Sequence, residues 1–276
     1  MIASSENSQT AAVVPFDFES YGVFVRIDSN RQEMVDDAEA VVRDSMLNDI
    51  RVVRRKNFDV IFQLNRNQRG QRIIIQNGEE ISRGGIHRKF FKFFDSLIRV
   101  AIAERAVDRV FLHAGVVGWK GKAIVVPADS FKGKSTLITE LVRNGAEYYS
   151  DEFAIFDRDG VVYPFPRRIG RRTEDYKTYE LTAEGLGGTV GTEPIPVGLV
   201  LITEYKAGAT WSPKILTSGK GVLEMIPFTL CLRHQPDFSL EVLNKIASNA
   251  IIAASLRGTA EKFAKTLLNF VDKHVN

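Results

Sequence analysis

The residues best placed to do chemistry lie between positions 113 and 172. Ala128-Asp129-Ser130-Phe131-Lys132-Gly133-Lys134-Ser135-Thr136 follows the apolar run Ala123-Ile124-Val125-Val126-Pro127 and precedes a helical pattern reaching about Asn144. Strand, loop and helix in that order are the setting of a phosphate-binding P-loop. Its backbone N–H groups wrap the phosphates, and the helix N-terminus adds a favourable dipole. Ala128 to Thr136 are therefore candidates for nucleotide binding, with Lys134 on the outer phosphates and the Ser135 hydroxyl as a ligand to Mg²⁺. The general pattern G-x-x-x-x-G-K-[ST] is met except at its first glycine, where Ala128 stands.

A second group of candidates follows. Glu147 to Phe156 reads as another strand, interrupted by the adjacent carboxylates Asp151 and Glu152. Two acids in an apolar segment are costly unless they hold a metal or serve chemistry; the alternative is the solvated rim of a strand end. The stretch from Thr136 to Asp151 suits one helix and a turn into the next strand, which lets the acids face the loop across neighbouring strand ends. Beyond them come Pro164-Phe165-Pro166 and then Arg167, Arg168, Arg171 and Arg172. These arginines can neutralise charge on a transferred phosphoryl group, dock a carboxylate or acidic peptide, or form a solvated basic loop. Arg167, nearest the rigid Pro-Phe-Pro strand, is the candidate among them.

His113-Ala114-Gly115, the loop ending Gly133-Lys134-Ser135-Thr136, the segment Arg143-Asn144-Gly145-Ala146-Glu147 and Tyr149-Ser150-Asp151-Glu152 together resemble the HPr kinase/phosphorylase family. They are most similar to its divergent relatives, some of them linked to the biosynthesis of ribosomally made peptides. That family carries G-x-S-G-x-G-K-[ST], an upstream His-Gly or His-Ala pair and a downstream acidic pair. The resemblance is specific over about residues 110–170 and loose elsewhere. Two family glycines are replaced here, by Ala128 and by Phe131. The second replacement predicts an altered loop, because a bulky residue tolerates positive φ poorly. The resemblance implies ATP and Mg²⁺ as cofactors, Asp151 as general base toward an acceptor hydroxyl, and Glu152 as a second, metal-side or orienting carboxylate. The reverse assignment of the two acids stays open. It also places His113 beside the catalytic acid, where a neutral imidazole helps to orient or share a proton. The implied acceptor is a serine of a peptide or small protein; free serine, a catalytically inactive nucleotide- or peptide-binding module, and a carboxykinase acting on a small acid are the alternatives. The family commonly forms ring-like oligomers, so a homo-oligomer is expected.

The elements that must hold these residues can be read from patterning. Tyr21 to Ile27 alternates as a half-buried strand, and Asn30 to about Ser45 has helical spacing, with Met34, Ala38, Val41 and Val42 on one face. Residues 50–54, 59–64 and 72–76 read as strands, the last two joined as a hairpin through 65–70, with Asn77-Gly78 as the next turn. Arg51, Arg54, Arg55, Arg66, Arg69 and Arg72 can form an acid-binding face or simply the solvent side of these strands. Lys89 to about Ala106 is a helix with the core stripe Phe90, Phe91, Phe94, Leu97, Ile98 and Ala101. Residues 108–114 and 196–202 are buried strands; 173–193, with four glycines, reads either as a mobile segment able to fold over a substrate or as an idle surface loop. Residues 219–231 and 238–271 read as mostly amphipathic helices.

The fold expected is α/β: a flexible stretch 1–15, a small α+β lobe 16–88, and a P-loop domain 89–276 of the HPr kinase/PEP-carboxykinase type, with a mixed sheet flanked by helices. With 276 residues, 44% of them apolar, the chain can bury a substantial core. A net charge of +3 gives no support to a nucleic-acid partner. One cysteine, Cys231, excludes an internal disulfide framework and a cysteine zinc site. No apolar run spans a membrane, and the first residues lack the basic start and long apolar centre of a secretory signal. A cytoplasmic protein is expected, its partners a nucleotide and a peptide or small-protein substrate.

Overall fold

The computed structural model describes residues 12–129, 132–172 and 178–275. The chain divides into two compact units, with the boundary after Ile102.

In the first unit, β1 (Phe16–Ser20), β2 (Val23–Asp28), β3 (Arg51–Val52), β4 (Val60–Arg66), β5 (Arg72–Gln76) and β6 (Glu79–Gly84) form a sheet in the order β3-β1-β2-β4-β5-β6. β2 and β4 run parallel, with α1 (Gln32–Ser45) lying between them in sequence; the other pairs are antiparallel. Burial alternates along β1, β2 and the first part of β4, as a sheet covered on one face requires. The covering apolar residues come from Met34, Ala38 and Val42 of α1 and from Phe90, Phe94 and Ile98 of α2 (His87–Arg105). Phe62 and Phe94 meet edge to face, with centroids 5.3 Å apart. Two expectations change here. Residues 21 and 22 are a turn with positive φ at both positions, so what reads as one strand from Tyr21 is a β1–β2 hairpin, and β1 was missed. The apolar stripe of α2 belongs to the first unit's core, whereas the sequence places that helix with the second. Val13 also packs on this core and the Val14 N–H donates to Gln32 Oε1, so the N-terminal stretch is anchored from residue 13. Residues 1–11 lie outside the described residues.

The second unit is a mixed sheet with helices on both faces. It contains β7 (Val110–Trp119), β8 (Lys122–Pro127), α3 (Lys134–Arg143), β9 (Glu147–Ser150), β10 (Phe153–Phe156), β11 (Val161–Tyr163), β12 (Ile169–Arg172), β13 (Thr178–Leu181), β14 (Ile195–Tyr205), β15 (Lys214–Ile215), α4 (Ser218–Met225), α5 (Pro236–Asn249), β16 (Ile251–Arg257) and α6 (Ala260–His274). The strand order is β11-β10-β7-β8-β14-β16-β15, with β9 also on β7 and β12–β13 a separate hairpin. β8, β14 and β16 are parallel to one another. β8 is buried from Ala123 to Pro127 because both faces are covered. Its Ala123 and Val125 join a core with Val222 and Met225 of α4 and Leu243 and Ile246 of α5, whereas Ile124 and Val126 join one with Leu137 and Leu141 of α3 and Phe263 and Leu267 of α6. Among the described residues no helix is long and apolar enough to cross a membrane.

Two readings are corrected in this unit. Residues 251–257 are the strand β16, not helix, and α5 ends at Asn249. The described part of the 173–193 segment does not stand free, being tied to β9 and α3 at residues 188–191. Tyr148 N–H donates to Thr189 O (2.8 Å) and Gly191 N–H to Tyr148 O (2.9 Å). A Cβ on Gly191 would lie 2.0 Å from the Tyr149 ring, and one on Gly188 would lie 2.4 Å from Val142. These glycines permit close packing. Residues 173–177 lie outside the described residues.

Candidate functional site

One end of the second sheet collects the chemistry. β8 ends at Pro127, beside Ala114 of β7, and delivers the chain to the loop 128–133 and then α3. Ala128 N–H donates to His113 O (3.4 Å) and Lys132 N–H to Asp129 O (3.5 Å), so the described ends of the loop are tied. Ala128 is buried and is not among the described residues with positive φ, so a Cβ costs no backbone strain at the position where the general motif has glycine. Ser130 and Phe131 lie outside the described residues. Gly133 does need to be glycine. It caps α3 at φ 80°, and a Cβ there would approach Arg257 Nη2 to 2.8 Å.

The first intrahelical bond of α3 runs from Leu137 N–H to Gly133 O (3.1 Å). The N–H groups of Lys134, Ser135 and Thr136 therefore stand ahead of it at the positive end of the helix dipole. Lys134 is only 7% exposed, and its ammonium lies 2.9 Å from His113 Nε2. An ammonium can only donate, so Nε2 accepts and the ring proton sits on Nδ1. Burial first, then the Lys134 charge, pushes His113 down to about 4, against the pull of Glu152 and Asp129. Burial also lowers Lys134 from the usual lysine range, opposed by the charges of Asp151, Glu152 and Asp129. At neutral pH the imidazole is uncharged.

Why the sequence brings these groups together is visible in β7. Its first half pairs with β10, Phe153 opposite His113, and its second half pairs with β9, Ser150 opposite Val116. β9 and β10 thus follow the same side of β7, interrupted at Asp151 and Glu152, as the sequence predicts. The buried Ser150 hydroxyl accepts from the N–H groups of Glu152 (3.1 Å) and Phe153 (3.0 Å), and Ala114 N–H donates to Glu152 O (3.3 Å). That turn holds the acids beside His113 and Lys134. Gly115 is explained by packing: a Cβ would lie 2.5 Å from Ile138 Cγ1 and 3.2 Å from Lys134 Cγ, so α3 can lie this close to β7 only over glycine.

The buried phenol of Tyr148 donates to the backbone carbonyl of Arg167 (2.5 Å) and meets the backbone of Asp151, so it ties the chain at Arg167 to the turn that carries the acids. Arg168 instead pairs with Glu180 (3.3 Å) at an exposed position. Lys132, a loop candidate, pairs with Glu204 (2.6 Å). Asp129 is exposed, and Ser135 and Thr136 are half-buried on the first turn of α3.

The sequence reading missed the C-terminal ends of β14 and β16. Tyr205 and Arg257 are direct neighbours across that parallel pair, at the same sheet end as the loop. Arg257 is 2% exposed and donates from Nη2 to Gly133 O (2.9 Å) and from Nη1 to Gly258 O (3.3 Å). The one signal available was the short apolar run Ile251 to Leu256, too short to separate strand from helix by periodicity.

No family model and no curated protein matches the chain. Among solved structures, the Hpr(Ser) kinase/phosphatase from Coxiella burnetii is similar over 59% of this chain and 89% of its own, with 12% sequence identity and a TM-score of 0.35. A likeness at that level carries no argument, and the site rests on its own geometry.

Proposed function

We propose that the chain is an ATP-dependent phosphotransferase that moves the γ-phosphoryl group to a hydroxyl, the acceptor being a serine of a peptide or small protein. The observation that carries this reading is the buried Lys134 ammonium at the start of α3, bonded to a neutral His113 and held within reach of the charges of Asp151 and Glu152. A buried cation beside the N–H groups of a helix's first turn is the arrangement that binds outer phosphates. Phosphoryl transfer asks the protein for positioning, charge neutralisation and a group to receive the acceptor's proton.

The α3 N–H groups and Lys134 bind the β- and γ-phosphates. The neutral His113 orients the Lys134 ammonium without competing for the phosphate charge. Asp151, on the turn fixed by Ser150, takes the proton of the attacking hydroxyl. Arg167, beside the Tyr148 phenol, offers positive charge toward the transferred group. Among the described residues no three His, Cys, Asp or Glu side chains gather as a metal site. Mg²⁺ is commonly held by one or two protein oxygens together with substrate phosphates. Ser135 and Glu152 would hold it, and its chemistry there is neutralisation of phosphate charge. The choice of a peptidyl serine over free serine rests on the resemblance carried by the 113–152 motifs.

The test is calorimetry of the full chain with Mg²⁺ and ATP. Micromolar binding that weakens about 100-fold or more in Lys134→Ala supports the site. Mass spectrometry of serine-containing peptides incubated with ATP then finds the acceptor, with transfer absent in Asp151→Asn although ATP still binds. A folded wild-type protein that binds no nucleotide refutes the reading.

A further inference from the structure

A cavity of about 530 Å³ opens beside the start of α3, walled by Lys132, Gly133, Thr136, Tyr205, Arg257 and Thr259, among others. Lys134 is not among its walls. The cavity therefore adjoins the loop on a different part of the first helical turn from the Lys134–His113 pair. Its volume lies in the range of small-molecule and cofactor sites.

Arg257 is the informative wall. Its guanidinium is buried; among the described residues its two hydrogen bonds go to backbone carbonyls and its Nε has no partner. No carboxylate among the described residues forms an ion pair with it, and burial lowers it from the usual arginine range. A buried cation without a counter-charge is expensive. Its position behind Gly133, where α3 begins, indicates that the missing anion arrives with a ligand. Tyr205, 48% exposed, supplies an aromatic face, with Arg257 Cζ 5.9 Å from its ring centroid. Glu204, also in the wall, is held by Lys132. An anion next to Arg257 and the α3 N–H groups, joined to a flat, partly apolar body against Tyr205, describes a nucleotide entered from its nucleoside end.

We propose that this pocket receives the nucleoside of the bound nucleotide, with Arg257 meeting the innermost phosphate and Tyr205 lying against the base or sugar. The proposal rests on the nucleotide-binding reading given above. It places the outer phosphates toward Lys134 and the nucleoside toward the ends of β14 and β16.

The test compares two probes, ATP and inorganic tripolyphosphate, each with Mg²⁺, by calorimetry on the wild-type chain, Tyr205→Ala and Arg257→Gln. Tyr205 is half-exposed, so its removal leaves the fold intact. The wild type binds both probes. Tyr205→Ala weakens ATP about tenfold, the usual worth of an aromatic contact to a base, and leaves tripolyphosphate unchanged. Arg257→Gln weakens both. If Tyr205→Ala leaves ATP unaffected, or weakens the two probes equally, the pocket proposal is wrong while the loop reading stands. If the wild type binds neither probe, the loop reading fails and the pocket proposal fails with it.

Discussion

The His113–Lys134 contact makes a prediction that needs neither nucleotide nor acceptor. Burial and the neighbouring ammonium hold the His113 imidazole at about 4, against an ordinary value of 6.5. The unfolded chain therefore binds a proton at position 113 throughout that window, and the folded chain does not. Stability contributed by the neutral imidazole is complete above about pH 6.5 and is lost as the pH falls toward 4. At about 1.4 kcal/mol per pH unit, the loss approaches 3 kcal/mol. The comparison is with His113→Gln, whose amide oxygen can still accept from Lys134 but cannot be protonated. Both tryptophans, Trp119 and Trp211, lie in the second unit, so their fluorescence reports the unit that contains the site. Urea denaturation in metal-free buffer, repeated from pH 7 to pH 4, should show the wild type losing about 3 kcal/mol relative to the variant. With a slope of about 3 kcal/mol per molar urea, that moves the difference in midpoints by about 1 M. A difference that does not change with pH, or an imidazole that titrates near 6.5 by NMR in the folded protein, would refute the argument.

Three further substitutions probe how the site is held. Gly115→Ala drives a methyl group into Ile138 at 2.5 Å and should cost about 1–3 kcal/mol as α3 is pushed from β7, read as a lower urea midpoint by tryptophan fluorescence. Ser150→Ala leaves the Glu152 and Phe153 N–H groups without their acceptor; a loss of about 1–3 kcal/mol is expected, and faster amide exchange at residues 151–153 would locate it. Gly191→Ala places a methyl group 2.0 Å from the Tyr149 ring, so the 189–191 strap should separate from β9 and the Tyr148 and Gly191 amides lose exchange protection; unchanged protection would contradict the packing described.

What the sequence determined by itself is the part of the protein set by local chemistry. The β4–β5 hairpin with its connecting turn, the buried face of α1, and the succession of β8, loop and α3 all follow from spacing and turn residues within a few positions of one another. The interruption of β9 and β10 by two acids was legible for the same reason, since two charges in an apolar run declare themselves without knowledge of neighbours. What only the tertiary structure decided involves partners far apart in the chain. The phenylalanine stripe of α2 announces a core helix but cannot say which sheet it covers, and the first unit's sheet takes it. Glycines at 188 and 191 read as freedom, yet they mark where Val142 and Tyr149 come too close for a side chain. Ile251 to Arg257 is strand rather than helix because β14 supplies a parallel partner some fifty residues earlier, register by register from Leu199↔Ile251 to Tyr205↔Arg257. Hydrogen bonds to a distant strand override a weak local preference, and that same pairing carries Arg257 to the loop.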